Sequence, residues 1–256
     1  MNILAFFAHP DDETMLCGGT LALLAKQGAS VSILIATRGE GGEMGEPPLS
    51  TREALGAVRE AELRCAAQAL GASRLLVMDY QDPLVGPDDQ LFPFTDDEHK
   101  LIGEVVAAIQ ATQADVLLAH GVNGEYGHPA HKLVHQAAWL AVQSLAAAAP
   151  LFYTVQGHFE EHPYPRLANA DVPAHLILDI TPVLEAKTAA ALCHRTQHNL
   201  FIRRQSEEAG RQLSVPEVVM TLESVTRVWP PVTETLPNDA FADLLLHSGQ
   251  ARPVVA

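Results

Sequence analysis

The chain has 256 residues, 48% of them hydrophobic, and a formal net charge of -15. That length and apolar content can bury one large core without staples. The acidity excludes nucleic acid and anionic membrane surfaces as partners, because phosphate-rich surfaces repel such a chain.

The first apolar run, NILAFFA at 2–8, reads as a strand. It has no basic segment ahead of it and runs straight into acidic residues, unlike a signal peptide. Helix-length segments GGTLALLAKQGA, REALGAVREAELRCAAQALGA and DDEHKLIGEVVAAIQATQ alternate with further apolar runs, VSILIAT at 31–37, RLLVMD at 74–79 and ADVLLAH at 114–120. The stretch AAWLAVQSLAAAAPLFY is interrupted by Gln143, Ser144 and Pro150, so it predicts a helix and then a strand at 151–156 rather than a membrane span. A strand at 174–180, a helix over 182–209 and a short apolar helix near 239–247 follow. Apolar strands alternating with helices imply parallel neighbours joined by crossovers. The fold class expected is a Rossmann-like three-layer α/β sandwich with a mainly parallel sheet, one domain over 1–256 with its core at about 1–200 and a C-terminal extension over about 201–256. A cytoplasmic location is expected.

Three cysteines, Cys17, Cys65 and Cys193, are odd in number and lack any CxxC spacing. They are expected as buried free thiols, neither a disulfide framework nor a thiolate metal site. CGGTL lacks the spacing of a dinucleotide fingerprint, and Gly18 and Gly19 are read as letting the first helix pack closely on the sheet. TRGEGGEMGEPPLS has the composition of a loop, a candidate lid over the strand ends.

The chemistry gathers after the first and fourth strands. In FFAHPDDE, His9 and Asp12 stand three residues apart in one tight turn, a spacing that lets an imidazole and a carboxylate hold one Zn²⁺ ion. GEYGHPAHKLVH enters a helix through Gly127 and Pro129 and places His128 and His131 on one face. His131 is the third ligand expected, and Asp11 is left to face the reactive water as general base. Both clusters sit at carboxyl ends of predicted parallel strands, where open α/β sheets bind ligands. His120 reads as a hydrogen-bonded structural histidine. His135 as a fourth ligand would close the site to water.

AHPDDE, GGTLALL, TRGEGG, REAELRCAAQALG and GEYGHPAH, in this order over residues 2 to about 200, resemble the LmbE-like, or PIG-L-like, zinc-dependent N-acetylglucosamine deacetylases. The resemblance implies Zn²⁺ on His9, Asp12 and His131, Asp11 as base, Tyr126 and His128 as oxyanion stabilisers, and His128 as acid toward the leaving amine. It suggests substrate contacts from Arg59 and Asp82, for which a surface pair with Glu62 and a simple turn are the plainer alternatives. His194 and Gln197 match a family motif with no role derivable from sequence. The family reads HPDH where this chain has Ala130, which leaves an imidazolium at His128 less supported. The implied partner is a small N-acetylated amino sugar, with a glucosaminyl-malate deacetylase of bacillithiol-type thiol biosynthesis as the leading form. Related proteins are commonly homo-oligomers. The alternatives are an amidase of sugar-linked thiol S-conjugates and, in another class, a non-catalytic metal or nucleotide-sugar binder.

Overall fold

Successive residues of a strand face opposite sides of its sheet, and in the first strand both sides are dry. Ile3, Ala5 and Phe7 enter one core while Leu4, Phe6 and Ala8 enter a second, all with no exposed surface. The computed structural model describes residues 1–233 and 236–254. In chain order it contains β1 (Asn2–Phe7), α1 (Asp12–Lys26), β2 (Ser30–Thr37), α2 (Leu55–Ala69), β3 (Arg74–Tyr80), α3 (Glu98–Thr112), β4 (Val116–Ala119), α4 (Gly124–Gly127) and α5 (Pro129–Ser144). Then follow β5 (Leu151–Val155), β6 (Gly157–His158), β7 (Asn169–Pro173), β8 (Leu176–Asp179), α6 (Leu184–Cys193), α7 (His198–Ala209), α8 (Val215–Val218), β9 (Leu222–Trp229), α9 (Ala240–His247) and β10 (Ala251–Pro253).

Eight strands form one sheet in the order β10-β8-β9-β5-β4-β1-β2-β3, and β6 pairs with β7 separately. The run from β5 to β3 is parallel, whereas β9 lies antiparallel between β5 and β8, and β10 is an antiparallel edge. Residues of α1, α2, α6 and α9 cover one face, and those of α3 and α5 cover the other. The result is the three-layer, mainly parallel sandwich expected from the alternation of strands and helices.

The strand order reverses between β1 and β4, which lie side by side with Ile3 opposite Val116 and Phe6 opposite Ala119. This switch point opens a crevice at the carboxyl ends of the strands, and the loops after β1 and β4 both enter it.

Strands β6, β7 and β10 were not expected from the sequence, and three further features differ from its reading. β9 was not among the expected strands, because buried Glu223, Ser224, Thr226 and Arg227 hide its apolar content. Glu223 is satisfied there: it accepts from the amides of Gly19 and Thr20, where α1 breaks at Cys17, and pairs with buried Lys187 at 2.7 Å. The helix expected over 182–209 is divided at His194 into α6 and α7. Cys65 and Cys193, expected as free thiols, are joined in a disulfide, and Cys17 alone is a buried free thiol. They stand 128 residues apart, but α2 and α6 pack side by side and bring their Cα atoms to 5.8 Å. Sequence spacing carries no record of that packing.

Gly19 supports the close packing read from sequence, since a Cβ there would lie 2.5 Å from Ile180 just past β8. Of the extension expected over 201–256, residues 234, 235, 255 and 256 lie outside the described residues. Among the described residues no helix is long and apolar enough to cross a membrane.

Candidate metal centre and hydrolytic cleft

The chain leaves β1 at Phe7, turns at His9–Asp11 and starts α1 at Asp12, so three functional side chains hang on one turn at the switch point. A cleft of about 700 Å³ opens above it, lined by His9, Asp11, Asp12, Arg59, Asp82, Tyr126 and His128 together with the 41–43 loop and an apolar wall at Pro83–Val85, Leu91, Phe92 and Leu200. The structure therefore brings every site residue read from the sequence to this cleft or its floor, where His131 lies fully buried.

Asp12 is the hub of the floor. Its Oδ2 lies 3.3 Å from His9 Nδ1 and 3.4 Å from His120 Nε2, and its Oδ1 lies 3.3 Å from His131 Nε2. Among the described residues, two trios bring ligand atoms within 4.8 Å of one another, His9, His128 and His131, and Asp12, His120 and His131. Hydrogen bonds remove one member from each. His120 Nε2 accepts the amide of Ala8 at 3.2 Å, which occupies its lone pair and leaves Nδ1 to donate to Glu125. His128 Nδ1 accepts the amide of Ala130 at 3.2 Å, capping α5, so a neutral His128 carries its proton on Nε2. His9, Asp12 and His131 keep atoms available for a cation. His131 is the most telling: Nδ1 bonds Glu125 Oε2 at 2.8 Å, while Nε2 is buried with no hydrogen-bond partner. A carboxylate behind an imidazole whose other nitrogen faces an open site is the usual arrangement around a protein-bound metal.

Glu125 was missed by sequence reasoning, although it stands six residues before His131. It is buried with a φ of 55° and binds both His120 and His131, its second oxygen receiving the amides of Gly121 and Asn169. Burial disfavours its charge, but His120 and His131 hold its carboxyl well below the usual range. The available signal was the need of every ligating histidine for an acceptor on its other nitrogen.

Asp11 stands at φ 121°, a backbone state that non-glycine residues adopt only when their surroundings impose it. Glu13 Oε2 accepts its amide at 2.9 Å, and Arg59 donates to Asp11 Oδ2 at 3.1 Å, to the carbonyl of Pro10 and to that of Gly39. Burial pushes the Asp11 carboxyl up to about 6; Arg59 opposes the rise and Asp12 adds to it. A base close to neutrality is suited to proton abstraction at physiological pH.

Arg59 is only 2% exposed and makes no surface pair with Glu62, which is itself bound to Thr196. Asp82 does more than form a turn: Oδ1 lies 3.3 Å from His9 Nε2 and Oδ2 accepts the amide of Gly41. The glycines of TRGEGG let that loop close on both residues, since a Cβ on Gly39 (φ 68°) would strike the Arg59 guanidinium. The loop expected as a lid is tied down here, Arg52 donating to the carbonyls of Glu40 and Gly42 and Gln197 to that of Glu43. Tyr126 is 52% exposed and sets its ring edge-on to His128 and His131. His128 is driven down to about 3, by burial first and then by its neighbours His9 and His131. His135 bonds the carbonyl of His120 through Nδ1 and belongs to neither trio of neighbouring ligand atoms, so it is not a fourth ligand in this arrangement.

A strained carboxylate near neutral pKa, beside imidazoles that could hold one divalent cation at the switch point of a parallel sheet, defines a hydrolase centre in which water is the reactant to be activated. Comparison with known proteins narrows the class. The pattern of PIG-L, described as GlcNAc-PI de-N-acetylase, matches residues 4–142. A 1D-myo-inositol 2-acetamido-2-deoxy-alpha-D-glucopyranoside deacetylase of Rhodococcus erythropolis is 32% identical over 265 residues, covering 87% of this chain and 89% of that protein. An enzyme of the same name from Actinosynnema mirum is 31% identical and covers 77% of this chain and 80% of its own. Among solved structures, the N,N'-diacetylchitobiose deacetylase of Pyrococcus horikoshii superposes with a TM-score of 0.61 at 18% identity over 89% of this chain and 83% of that one. GalB, the 4-carboxy-2-hydroxymuconate hydratase of Pseudomonas putida, superposes at 0.62 with 22% identity over 92% and 99%. These two likenesses establish the fold. The chain belongs to the PIG-L family, and with it to the amide hydrolases that remove N-acetyl groups.

Proposed function

We propose that this protein hydrolyses the N-acetyl group of a small N-acetylglucosaminide, with His9, Asp12 and His131 holding Zn²⁺ and Asp11 as general base. The carrying observation is the buried, partnerless Nε2 of His131 facing Asp12, with Glu125 fixing the ring from behind. A divalent cation bound there supplies Lewis-acid polarisation of the amide carbonyl and makes nearby water more acidic.

The chain's own groups do the rest. Asp11 takes a proton from the attacking water. His128 Nε2–H and the Tyr126 hydroxyl donate hydrogen bonds to the oxygen that gains charge. His128 Nδ1 is taken by the Ala130 amide and burial opposes a second proton on the ring, so Asp11 returns the proton to the departing nitrogen. Arg59 holds the Asp11 turn, and Asp82, beside His9, meets sugar hydroxyls at the rim of the cleft.

The named relatives take inositol as the aglycone, where sequence reading favoured malate, and an inositol-linked glucosaminide is therefore the substrate proposed first. A place in low-molecular-weight thiol biosynthesis and a cytoplasmic location belong to the same proposal. Zinc-loaded protein incubated with the inositol-linked and malate-linked N-acetylglucosaminides is expected to release acetate and one primary amine from the former. Release of neither product from either compound, with metal bound, refutes the reading.

A further inference from the structure

The turn that carries Asp11 has a support that the motif reading left without a role. Glu13 is fully buried, one residue past the Asp12 hub, yet it does not line the cleft. One of its oxygens accepts the Asp11 amide at 2.9 Å. The other meets His194 Nε2 at 2.9 Å and the Thr14 hydroxyl at 2.5 Å. His194 is also fully buried and stands at the break between α6 and α7, well outside residues 4–142 that match the family pattern. Two neighbours brace it: Cys193 is bonded to Cys65 of α2, and Thr196 donates to Glu62 of the same helix. Helix α2 also carries Arg59, which grips the Asp11 carboxylate and the Pro10 carbonyl.

We infer that Glu13 and His194 form a positioning pair that holds Asp11 in its working geometry, an inference that rests on Asp11 being the base proposed above. The physical reason lies in the backbone. At φ 121° the Asp11 amide meets the side chain of Glu13, two residues ahead in the first turn of α1. Glu13 provides the acceptor, and a buried carboxylate so close to Asp11 and Asp12 needs donors of its own. His194 and Thr14 supply them. Without the pair, the Asp11 amide is buried and unpaired at φ 121°, the turn relaxes toward negative φ, and the carboxylate swings away from Arg59 and from the path of the attacking water. Misplacement by about 1 Å is enough to cost about 100-fold in turnover.

The test compares zinc-loaded wild type, E13A and E13Q on the inositol-linked glucosaminide, with a crystal structure of E13A. E13A is expected to lower kcat about 100-fold with KM within about twofold and bound zinc unchanged. E13Q, whose amide oxygen still accepts from Asp11, is expected to recover most of that loss. In the E13A crystal, Asp11 is expected to have left φ 121°. An E13A protein that keeps kcat within about threefold, that loses activity only in step with zinc, or that retains the Asp11 geometry overturns the inference. If E13A does not fold, H194Q and H194A carry the comparison: the side-chain amide of Gln reaches Glu13 as Nε2 does, so H194Q is expected to keep the kcat that H194A loses, and equal values overturn it. If wild type releases no amine, the base assignment fails separately, and the Asp11 geometry in the variant crystal still decides whether the pair positions it.

Discussion

Replacing Glu125 with Gln tests the electrostatic frame of the site by a change of almost no volume. Glu125 receives four donors: His120 Nδ1 at 2.9 Å, His131 Nδ1 at 2.8 Å, the Gly121 amide at 3.0 Å and the Asn169 amide at 3.3 Å. A glutamine keeps one acceptor oxygen and turns the other position into a donor, so two donors must face an NH₂ group. Losing two charge-assisted bonds at about 1.5 to 3 kcal/mol each gives an expected loss of about 3 to 6 kcal/mol in stability. His131 also loses the acceptor that orients it, which weakens metal binding about 10- to 100-fold. Urea unfolding of the metal-free protein reads the first number, and zinc competition against a chromophoric chelator reads the second. The pH dependence supplies a third check. Because the native Glu125 carboxyl is held below its ordinary value of 4.5, its contribution is present above that value and is lost as pH falls through the native one. E125Q is expected to flatten this acid-side slope. A variant within about 1 kcal/mol of wild type and with zinc affinity unchanged refutes the frame described here.

Replacing Asp11 with Asn is expected to lower kcat about 10²- to 10⁴-fold while leaving zinc bound, and residual activity above a tenth of wild type rules it out as the base. The kcat/KM of the wild type is expected to rise with pH through an acid limb at or below about 6, because Asp11 must lose its proton to act and a bound cation lowers its pKa further; a limb above neutrality contradicts the assignment. Zinc uptake at pH 7 is expected to release protons: burial works against a charged His9, yet Asp12 and Asp82 raise it to about 9, so the metal displaces a proton there. Calorimetry in buffers of different ionisation enthalpy measures that release, and none detected removes His9 from the ligand set. Reduction of Cys65–Cys193 opens a cross-link spanning 128 residues and is expected to cost up to about 5 kcal/mol by chain entropy, read as a lower urea midpoint. A midpoint unchanged by reduction of the bond shows that α2 and α6 hold together without it.

Strands β1, β2, β4 and β5 of the parallel half were legible because they are buried on both faces, so each appears as a largely apolar run bounded by helix-length segments, and the edge strand β3 keeps the same apolar run half-buried. β9 was not, since its neighbours supply partners for Glu223 and Arg227 that no local pattern announces: Lys187 comes from α6 and Asp239 from the start of α9. The same division runs through the site. His9, Asp11 and Asp12 sit on one turn, and His128 and His131 on one helix start, so their spacing reveals them. Arg59, Asp82 and His194 reach the same centre from three other elements, and only packing of those elements gives their roles. Cys65 and Cys193 fall in this second group, and so does Glu13, which sits inside AHPDDE while its partner His194 lies 181 residues away.

The histidines of this centre are sorted by what their second nitrogen meets. His131 and His120 both point Nδ1 at Glu125, an anion that makes the opposite nitrogen a better donor of electron pairs. His120 spends that nitrogen on the Ala8 amide, which leaves His131 to face the cleft floor. His128 points Nδ1 instead at the amide of Ala130. A backbone N–H there can only donate, so it fixes Nε2–H toward the cleft and opposes a second proton, in keeping with a pKa near 3. In the proposed reaction His128 is therefore a donor to the oxyanion throughout, and one carboxylate, Asp11, carries the proton from water to amine. With one carboxylate carrying the proton in that proposal, the geometry of the Asp11 turn carries more of the chemistry, and Arg59, Glu13 and His194 converge on that turn.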